Sequence, residues 1–305
     1  MMRDERLKYN ITTEVFKQVE KFKLGWFSTG RDHAARDLLD VVLRDIQRGV
    51  IPRCEVSYVF CSREEGEDQE SDNFIKQVRG KNIPLVWYSS QKFKPEQRKR
   101  GLELEKLGDS RTIEEWRRDY DREVKERIKD FSVDLVVLAG YMLVVGEEMC
   151  QEYPMINLHP AGPGGPKGAW EEVIWELMMN RSEETGVMMH LVTPELDEGP
   201  PVTYCLFSIN EPSMEPLWKE LEEKEQQQPD FLKNGGVKAA QELSLFHKIR
   251  EKGLIREFPL ISATVKVFAE GKVRIDGQRI LDSRGRELTE GYDLTEIMEQ
   301  TIHLD

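Results

Sequence analysis

The sequence has few cysteines, and none of them belongs to a ligand pattern. Cys54, Cys61, Cys150 and Cys205 are scattered along the chain, with no C-x-x-C pair and no histidine at ligand spacing. We therefore expect neither a disulfide framework nor a metal site, and we expect a reducing compartment such as the cytoplasm. A chain of 305 residues can bury a core without either kind of cross-link.

Long apolar runs are also missing. The first ten residues, MMRDERLKYN, are charged and contain no apolar segment of the kind found in signal peptides. Nowhere does the sequence reach the length of about eighteen apolar residues that a membrane-spanning helix needs. We therefore expect a cytoplasmic protein with no membrane partner.

Positive charge is in deficit. The chain has 44 Lys and Arg against 57 Asp and Glu, a formal net charge of −13. Binding to nucleic acid needs clustered Lys and Arg to neutralise phosphates, so this balance argues against a nucleic-acid partner. Small-molecule substrates are the expected partners, and the composition is compatible with a monomer or a homodimer.

Strand and helix patterns alternate along most of the chain. Apolar runs rich in β-branched and aromatic residues predict strands at 24–29, 54–62, 84–90, 134–142, 155–160, 185–193 and 200–209. Helical spacing of apolar residues predicts helices at 34–46, 73–78, 113–131 and 169–179. This alternation predicts an α/β fold with a mostly parallel, Rossmann-like sheet and helices on both faces. The last two strands are joined by the short loop PELDEG, which predicts antiparallel edge strands.

The remainder of the chain consists of two parts, one on each side of a main domain at 24–210. Residues 1–23 are predicted to be a polar helical lead-in, and 91–110 a charged loop or helix inserted in the main domain. The polar stretch 220–236 is predicted to be a solvated insertion. Helices at 236–252 and 260–269 and two short strands, KVRI and QRIL, complete a helical C-terminal extension over 211–305, expected to pack on the same domain.

Three polar residues are predicted to meet at one edge of the sheet. Asn157 and His159 lie two apart on a strand, so their side chains share a face. Asp197 lies in the PELDEG loop at the carboxyl end of the strands, where α/β sheets bind ligands. An Asn can donate to an oxyanion, a His can carry a proton near pH 7, and an Asp can orient that His. The set suits acyl or formyl transfer to an amine.

The residues alone leave a second interpretation open. A histidine at a strand end is more often a core or turn residue than a catalytic one. An aspartate in a tight loop is often an ordinary turn residue.

Three motifs in order then point to a family. DLVVLAGYM, MINLHP and TGVMMHLVTPELDEGPPV resemble the core of the 10-formyltetrahydrofolate-dependent formyltransferases. The resemblance extends over about 24–291 and is densest over 116–202. It implies an enzyme that transfers a formyl group from 10-formyltetrahydrofolate to an amine, in the first place that of phosphoribosylglycinamide in de novo purine synthesis.

The resemblance also implies site residues. The catalytic positions of the family fall on Asn157, His159 and Asp197, with His190 as a supporting residue. The positions implied to bind folate are Met142, Leu143, Val144, Val145, Val192 and Leu196. The acceptor is implied to lie at Gly30 and Arg31, and no metal is implied.

Departures from the family pattern concern the acceptor. Asp32, His33 and Ala34 stand where the family has a Gly-Ser-Asn turn that holds a phosphate at a helix N-terminus. Asp32 is instead a good helix N-cap. Leu254 stands where the family has an acid facing the ribose. An amino-sugar acceptor and a catalytically silent folate- or nucleotide-binding relative therefore remain alternatives.

Overall fold

A computed structural model of the chain describes residues 20–302, so most of the predicted N-terminal lead-in lies outside the described residues. The strands within these residues are β1 (Phe22–Ser28), β2 (Cys54–Cys61), β3 (Leu85–Trp87), β4 (Leu135–Leu138), β5 (Met155–His159), β6 (Glu184–Leu191), β7 (Pro201–Ser208), β8 (Val273–Asp276), β9 (Arg279–Asp282) and β10 (Tyr292–Asp293). Eight of them form one sheet in the order β10-β7-β6-β5-β4-β1-β2-β3. Strands β1 to β5 pair in parallel, and β6 runs antiparallel to both β5 and β7.

The helices cover both faces of this sheet. They are α1 (His33–Gln47), α2 (Gln69–Gly80), α3 (Pro95–Glu105), α4 (Arg111–Ile128), α5 (Glu147–Glu152), α6 (Trp170–Met179), α7 (Glu215–Gln227), α8 (Phe231–Gln241), α9 (Ser244–Ala269) and α10 (Thr295–Ile302). Neighbouring residues of β1 point to opposite cores: Trp26 packs in the core that contains α1 and α9, and Phe27 in the core that contains α4. The predicted α/β fold, with its antiparallel edge strands and C-terminal helices, is confirmed. No helix among residues 20–302 is long and apolar enough to cross a membrane.

The fourth strand is shorter than predicted. The apolar run was expected to be extended over 134–142, but β4 ends at Leu138. Gly140 has a φ of +66°, a left-handed conformation that glycine adopts without strain, and the chain turns there. The Gly140 carbonyl accepts the Thr29 N–H at 3.0 Å, which ties this turn to the end of β1. The turn directs the segment after it along the carboxyl edge of the sheet.

The prediction of a solvated insertion at 220–236 is wrong. Most of that stretch belongs to α7 and α8, and Leu221, Phe231 and Leu232 are buried in the core. The many polar residues lie on the outward faces and obscured a sparse apolar pattern. Helices α7 and α8 are consequently held against α6 and α9 by a few anchoring side chains.

The predicted helix break before residue 260 is also wrong. Helix α9 runs from Ser244 to Ala269 through Pro259, which has no N–H to donate to the Ile255 carbonyl. Leu260, Ile261 and Val265 after the proline are buried in the core, and this packing offsets the missing hydrogen bond. The break lies instead between α8 and α9. The predicted β8–β9 hairpin is confirmed, but β10 and α10 follow it and were not predicted.

A buried carboxyl connects α4 to the segment after β4. Asp121 of α4 is 4% exposed, and its Oδ2 accepts the Gly146 N–H at 2.6 Å. Burial raises the pKa of Asp121 to about 7, and the Gly146 hydrogen bond offsets only part of that rise. The carboxyl therefore anchors the end of the loop at 142–145. Its burial lowers the free energy of unfolding at pH values where the carboxyl would be ionised in water.

We expect Asp121→Asn to remove this penalty. Because the folded pKa lies above the ordinary value of 3.8, the wild type should lose free energy of unfolding as the pH rises from about 4 to about 7. Each pKa unit corresponds to roughly 1.4 kcal/mol, so the difference should reach a few kcal/mol at most. Urea unfolding at about pH 5 and about pH 8 measures it. If the free energy of unfolding changed equally with pH in wild type and variant, the raised pKa of Asp121 would be contradicted.

Candidate active site

A cleft of about 350 Å³ opens at the carboxyl edge of the sheet. It is bounded by the turn between β1 and α1, the loop after β4, the end of β5, the N-terminal turn of α6 and the loop between β6 and β7. One side of α9 closes it through Arg250 and Glu257. All three predicted catalytic residues, Asn157, His159 and Asp197, line this cleft.

The structure brings these residues together around one carboxylate. Strand β6 pairs with β5 so that His190 lies opposite Asn157, with 3.1 Å between Asn157 Nδ2 and His190 Nε2. Asp197 Oδ1 lies 3.4 Å from His190 Nε2, and Asp197 Oδ2 lies 3.7 Å from His159 Nδ1. The predicted supporting residue His190 is therefore a full member of the cluster.

The backbone carbonyls show which nitrogen of each imidazole ring carries hydrogen and which does not. His159 Nε2 lies 2.8 Å from the Pro166 carbonyl, and His190 Nδ1 lies 3.0 Å from the Leu191 carbonyl. A carbonyl only accepts, so both of these nitrogens carry hydrogen. His159 Nδ1 is then the nitrogen able to take up a proton, and His190 Nε2 accepts one N–H of Asn157. The second N–H of that amide remains available to a ligand.

The electrostatics of the pair suit proton transfer. Burial lowers the pKa of His159, and this outweighs the opposite effects of the Pro166 carbonyl and the Asp197 charge. Burial works to raise the pKa of Asp197, but the positive charge that His159 and His190 can carry and the Gly168 N–H outweigh it and hold that pKa below its ordinary value. An ionised carboxylate thus lies beside a neutral imidazole and stabilises the imidazolium that forms on proton uptake.

The glycine- and proline-rich loop after β5 braces the cluster. Its Pro166 carbonyl holds His159, and its Gly168 N–H donates to Asp197 Oδ2 at 3.3 Å. Asp197 itself has a φ of +54°, an uncommon conformation outside glycine that is concentrated at functional sites. A Cβ at Gly199 would lie 1.7 Å from the Leu191 carbonyl oxygen, so only glycine lets this loop fold back onto β6. Sequence reasoning did not find these contacts.

The residues predicted to bind folate lie together beside the cluster. Five of them line a cavity of about 50 Å³ that also contains Asn157 and Asp197, and they are Leu143, Val144, Val145, Val192 and Leu196. Met142 lies on the main cleft. Met142 is 48% exposed and Leu196 58% exposed, although both are large and apolar. Both side chains line the main cleft, so they offer apolar surface to a ligand there.

The two residues predicted to hold the acceptor differ in position. Arg31 lines the cleft, whereas Gly30 does not. Gly30 is buried, donates its N–H to Ser28 Oγ at 3.1 Å, and would place a Cβ 2.8 Å from Phe74 Cβ. Its role is to form the turn. Asp32 accepts the Ala35 N–H at 3.0 Å, which confirms that it is the N-cap of α1.

Sequence reasoning missed the contribution of α9. Glu257 Oε1 lies 2.5 Å from Arg250 Nη1, and the Arg250 guanidinium lies 4.7 Å from the centre of the Trp170 ring. Glu257 stands three residues after Leu254, almost one helical turn, so an acid still faces the cleft from this helix. In the sequence, the acid three residues after Leu254 was the signal from which Glu257 could have been predicted.

Among residues 20–302, no group of three or more His, Cys, Asp or Glu side chains is arranged to hold a metal ion.

Comparison with known proteins identifies the family. The model of the formyl transferase family matches residues 68–228, more than half of the chain. The chain belongs to the formyl transferase family. A curated relative, the phosphoribosylglycinamide formyltransferase of Dictyostelium discoideum, is 33% identical over 110 residues, which cover 33% of this chain and 53% of the relative. The chain thus spans about half the length of the curated relatives that it matches.

Solved structures agree on the formyl transferase fold. The phosphoribosylglycinamide formyltransferase of Coxiella burnetii superposes with a TM-score of 0.59 at 16% identity, covering 90% of this chain and 99% of that one. A formyltetrahydrofolate deformylase from Pseudomonas syringae gives a TM-score of 0.55 at 16% identity, covering 87% of this chain and 66% of that one. At these identities the likeness concerns the fold.

Proposed function

We propose that this protein transfers a formyl group from 10-formyltetrahydrofolate to the amine of a small acceptor. The convergence of Asn157, His159 and Asp197 in one cleft carries this proposal, because it supplies an amide donor, a neutral base and an orienting carboxylate. Membership of the formyl transferase family supports it. Residues 24–210 would form the catalytic domain, completed by α9 from the C-terminal extension. A cytoplasmic location and a monomeric or homodimeric state stay predictions.

Each member of the cluster has a role in this reaction. The free N–H of Asn157 donates to the formyl oxygen, on which negative charge develops when the acceptor amine attacks the formyl carbon. His159 takes up the proton that the amine loses and returns a proton to the nitrogen that leaves. Asp197 stabilises the imidazolium between these two steps, and His190 holds the Asn157 amide. When bound, 10-formyltetrahydrofolate supplies the formyl carbon and the leaving nitrogen.

The proposed donor site predicts a measurable loss of affinity. Leu196→Ala should weaken binding of a 5,8-dideazafolate analogue about tenfold, because covering a leucine side chain contributes roughly 1–2 kcal/mol. Leu107→Ala is the matched control, since Leu107 is 83% exposed and lines neither cavity. Calorimetry on both variants measures the effect. Equal affinities, or no binding by the wild type, would refute the donor site.

The acceptor has two candidates. The names of the curated relatives support phosphoribosylglycinamide. The capping of α1 by Asp32 favours the second candidate, an amine without phosphate at this position, such as an amino sugar. Transfer of label from 10-formyltetrahydrofolate to a panel of amines separates the two. A catalytically silent relative would bind the donor analogue but transfer no label.

A further inference from the structure

We propose that the cleft wall formed by α1, α6 and α9 takes a hydroxyl-bearing amine without a phosphate group rather than a phosphate ester, with Arg250 and Glu257 as its specificity-determining residues. This inference rests on the proposed formyl transfer and concerns only the acceptor. Three observations on the wall formed by α1, α6 and α9 support it.

The first observation is that the N-terminus of α1 is already occupied. A free helix N-terminus attracts anions through its unpaired N–H groups and its dipole. Here the Asp32 carboxylate accepts the Ala35 N–H and lies in the cleft lining. A phosphate at this point would have to displace a carboxylate that belongs to the protein.

The second observation is that both arginines of the cleft have carboxylate partners. Arg31 Nε lies 3.7 Å from Asp32 Oδ2, and Arg250 is paired with Glu257. Glu257 is only 6% exposed, and Asp32 is close enough to contribute to raising its pKa, although burial is the larger cause. Within the part of the chain that the structure describes, this wall therefore presents two neighbouring carboxylates to a phosphate and no arginine without an acidic partner. Close like charges repel strongly where water is partly excluded.

The third observation concerns what the Arg250–Glu257 pair offers to a ligand without phosphate. The pair has no net charge, yet Glu257 Oε2 can accept a hydrogen bond and the remaining guanidinium N–H groups can donate. A hydroxyl group both donates and accepts, so a vicinal diol or a sugar ring matches this pair. Trp170 lies against the guanidinium and fixes its plane in the cleft.

Matched acceptors that differ only in phosphate test the proposal. Glycinamide riboside is compared with glycinamide ribonucleotide, and glucosamine with glucosamine 6-phosphate, at saturating 10-formyltetrahydrofolate. We expect kcat/KM to be ~10-fold or more higher for the dephosphorylated member of at least one pair. Equal or better use of the phosphorylated members would overturn the proposal, and so would use of neither member of either pair.

Variants assign the effect to the named residues. Asp32→Ser should raise kcat/KM for the phosphorylated members ~10-fold relative to their dephosphorylated partners, because it removes the like charge. Glu257→Gln should raise KM for the dephosphorylated acceptor ~10-fold with little change in kcat, as expected for a lost charge-assisted hydrogen bond. Glu251→Gln on the exposed side of α9 is the control for Glu257→Gln. Unchanged kinetics in both Asp32→Ser and Glu257→Gln would refute the assignment.

One further measurement separates this proposal from the proposed function. The donor analogue is titrated into the wild type in the absence of any acceptor. Binding of the analogue together with failure of all four acceptors refutes the acceptor assignment alone. Absence of analogue binding refutes the formyl transfer function and the acceptor assignment with it.

Discussion

Replacing His159 by alanine is expected to lower kcat by ~10²–10⁴-fold, the range that general acid–base catalysis contributes. His159 is the residue of the cluster whose free nitrogen, Nδ1, can take up a proton, and it lines the cleft. The variant should stay folded, because the change removes a side chain at the cleft edge of β5 and leaves the strand pairing intact. Binding of the donor analogue should change little, since the proposed folate side chains lie elsewhere.

The measurement is single-turnover transfer of label under saturating donor and acceptor. His247→Ala provides the matched control, because His247 is an exposed histidine of α9 that lies outside both cavities, with its ring beside the Gln241 carbonyl and the Phe246 ring. Near-normal turnover of His159→Ala on an acceptor that the wild type uses would show that the assigned mechanism is wrong.

The pH profile gives a second readout of the same residue. The base must be neutral to take up a proton, and burial lowers the pKa of His159 below the ordinary value of 6.5. The acidic limb of the kcat profile should therefore lie below that of a solvent-exposed histidine. A limb at higher pH would require His159 to be held as imidazolium in the resting enzyme.

The sequence predicted most of the parts of the structure that depend on local pattern. The alternation of strands and helices was enough to predict the sheet, and the two-residue spacing of Asn157 and His159 was enough to place both on the cleft. The failures depend on tertiary contacts. Pro259 lies inside a helix because the residues after it are buried, and the polar stretch at 220–236 is helical because Leu221, Phe231 and Leu232 anchor it.

The site residues that were not predicted were missed for the same reason, because tertiary contacts bring them to the cleft. Arg250 and Glu257 reach the cleft from a helix more than fifty residues beyond Asp197 in sequence, and only the packing of α9 against the sheet brings them there. The Pro166 carbonyl and Gly168 N–H are backbone groups, whose direction is set by loop conformation and not by residue type. Side-chain chemistry at regular spacing was therefore predictable, and backbone contacts from an irregular loop were not.

Asp197→Asn is expected to lower kcat by ~10²-fold or more, within the range for groups that assist proton transfer. Asparagine has almost the same shape, and its Oδ1 can still accept the Gly168 N–H, so the loop should keep its conformation. What disappears is the negative charge beside His159 Nδ1, which lies 3.7 Å away. Since the Asp197 charge raises the pKa of His159, its loss should lower that pKa further and make the imidazolium harder to form.

Loss of the Asp197 charge should also change the pH dependence of kcat. The acidic limb of the kcat profile should move to lower pH in Asp197→Asn, while the plateau falls, because the base is neutral over a wider range but takes up a proton less readily. The two effects are measured in one pH series with the same acceptor. Glu195→Gln, in the same loop but outside both cavity linings, is the control for removal of a nearby acid. A lower plateau with an unmoved limb would indicate that Asp197 only supports the loop, and a limb at higher pH would contradict the electrostatic role assigned to it.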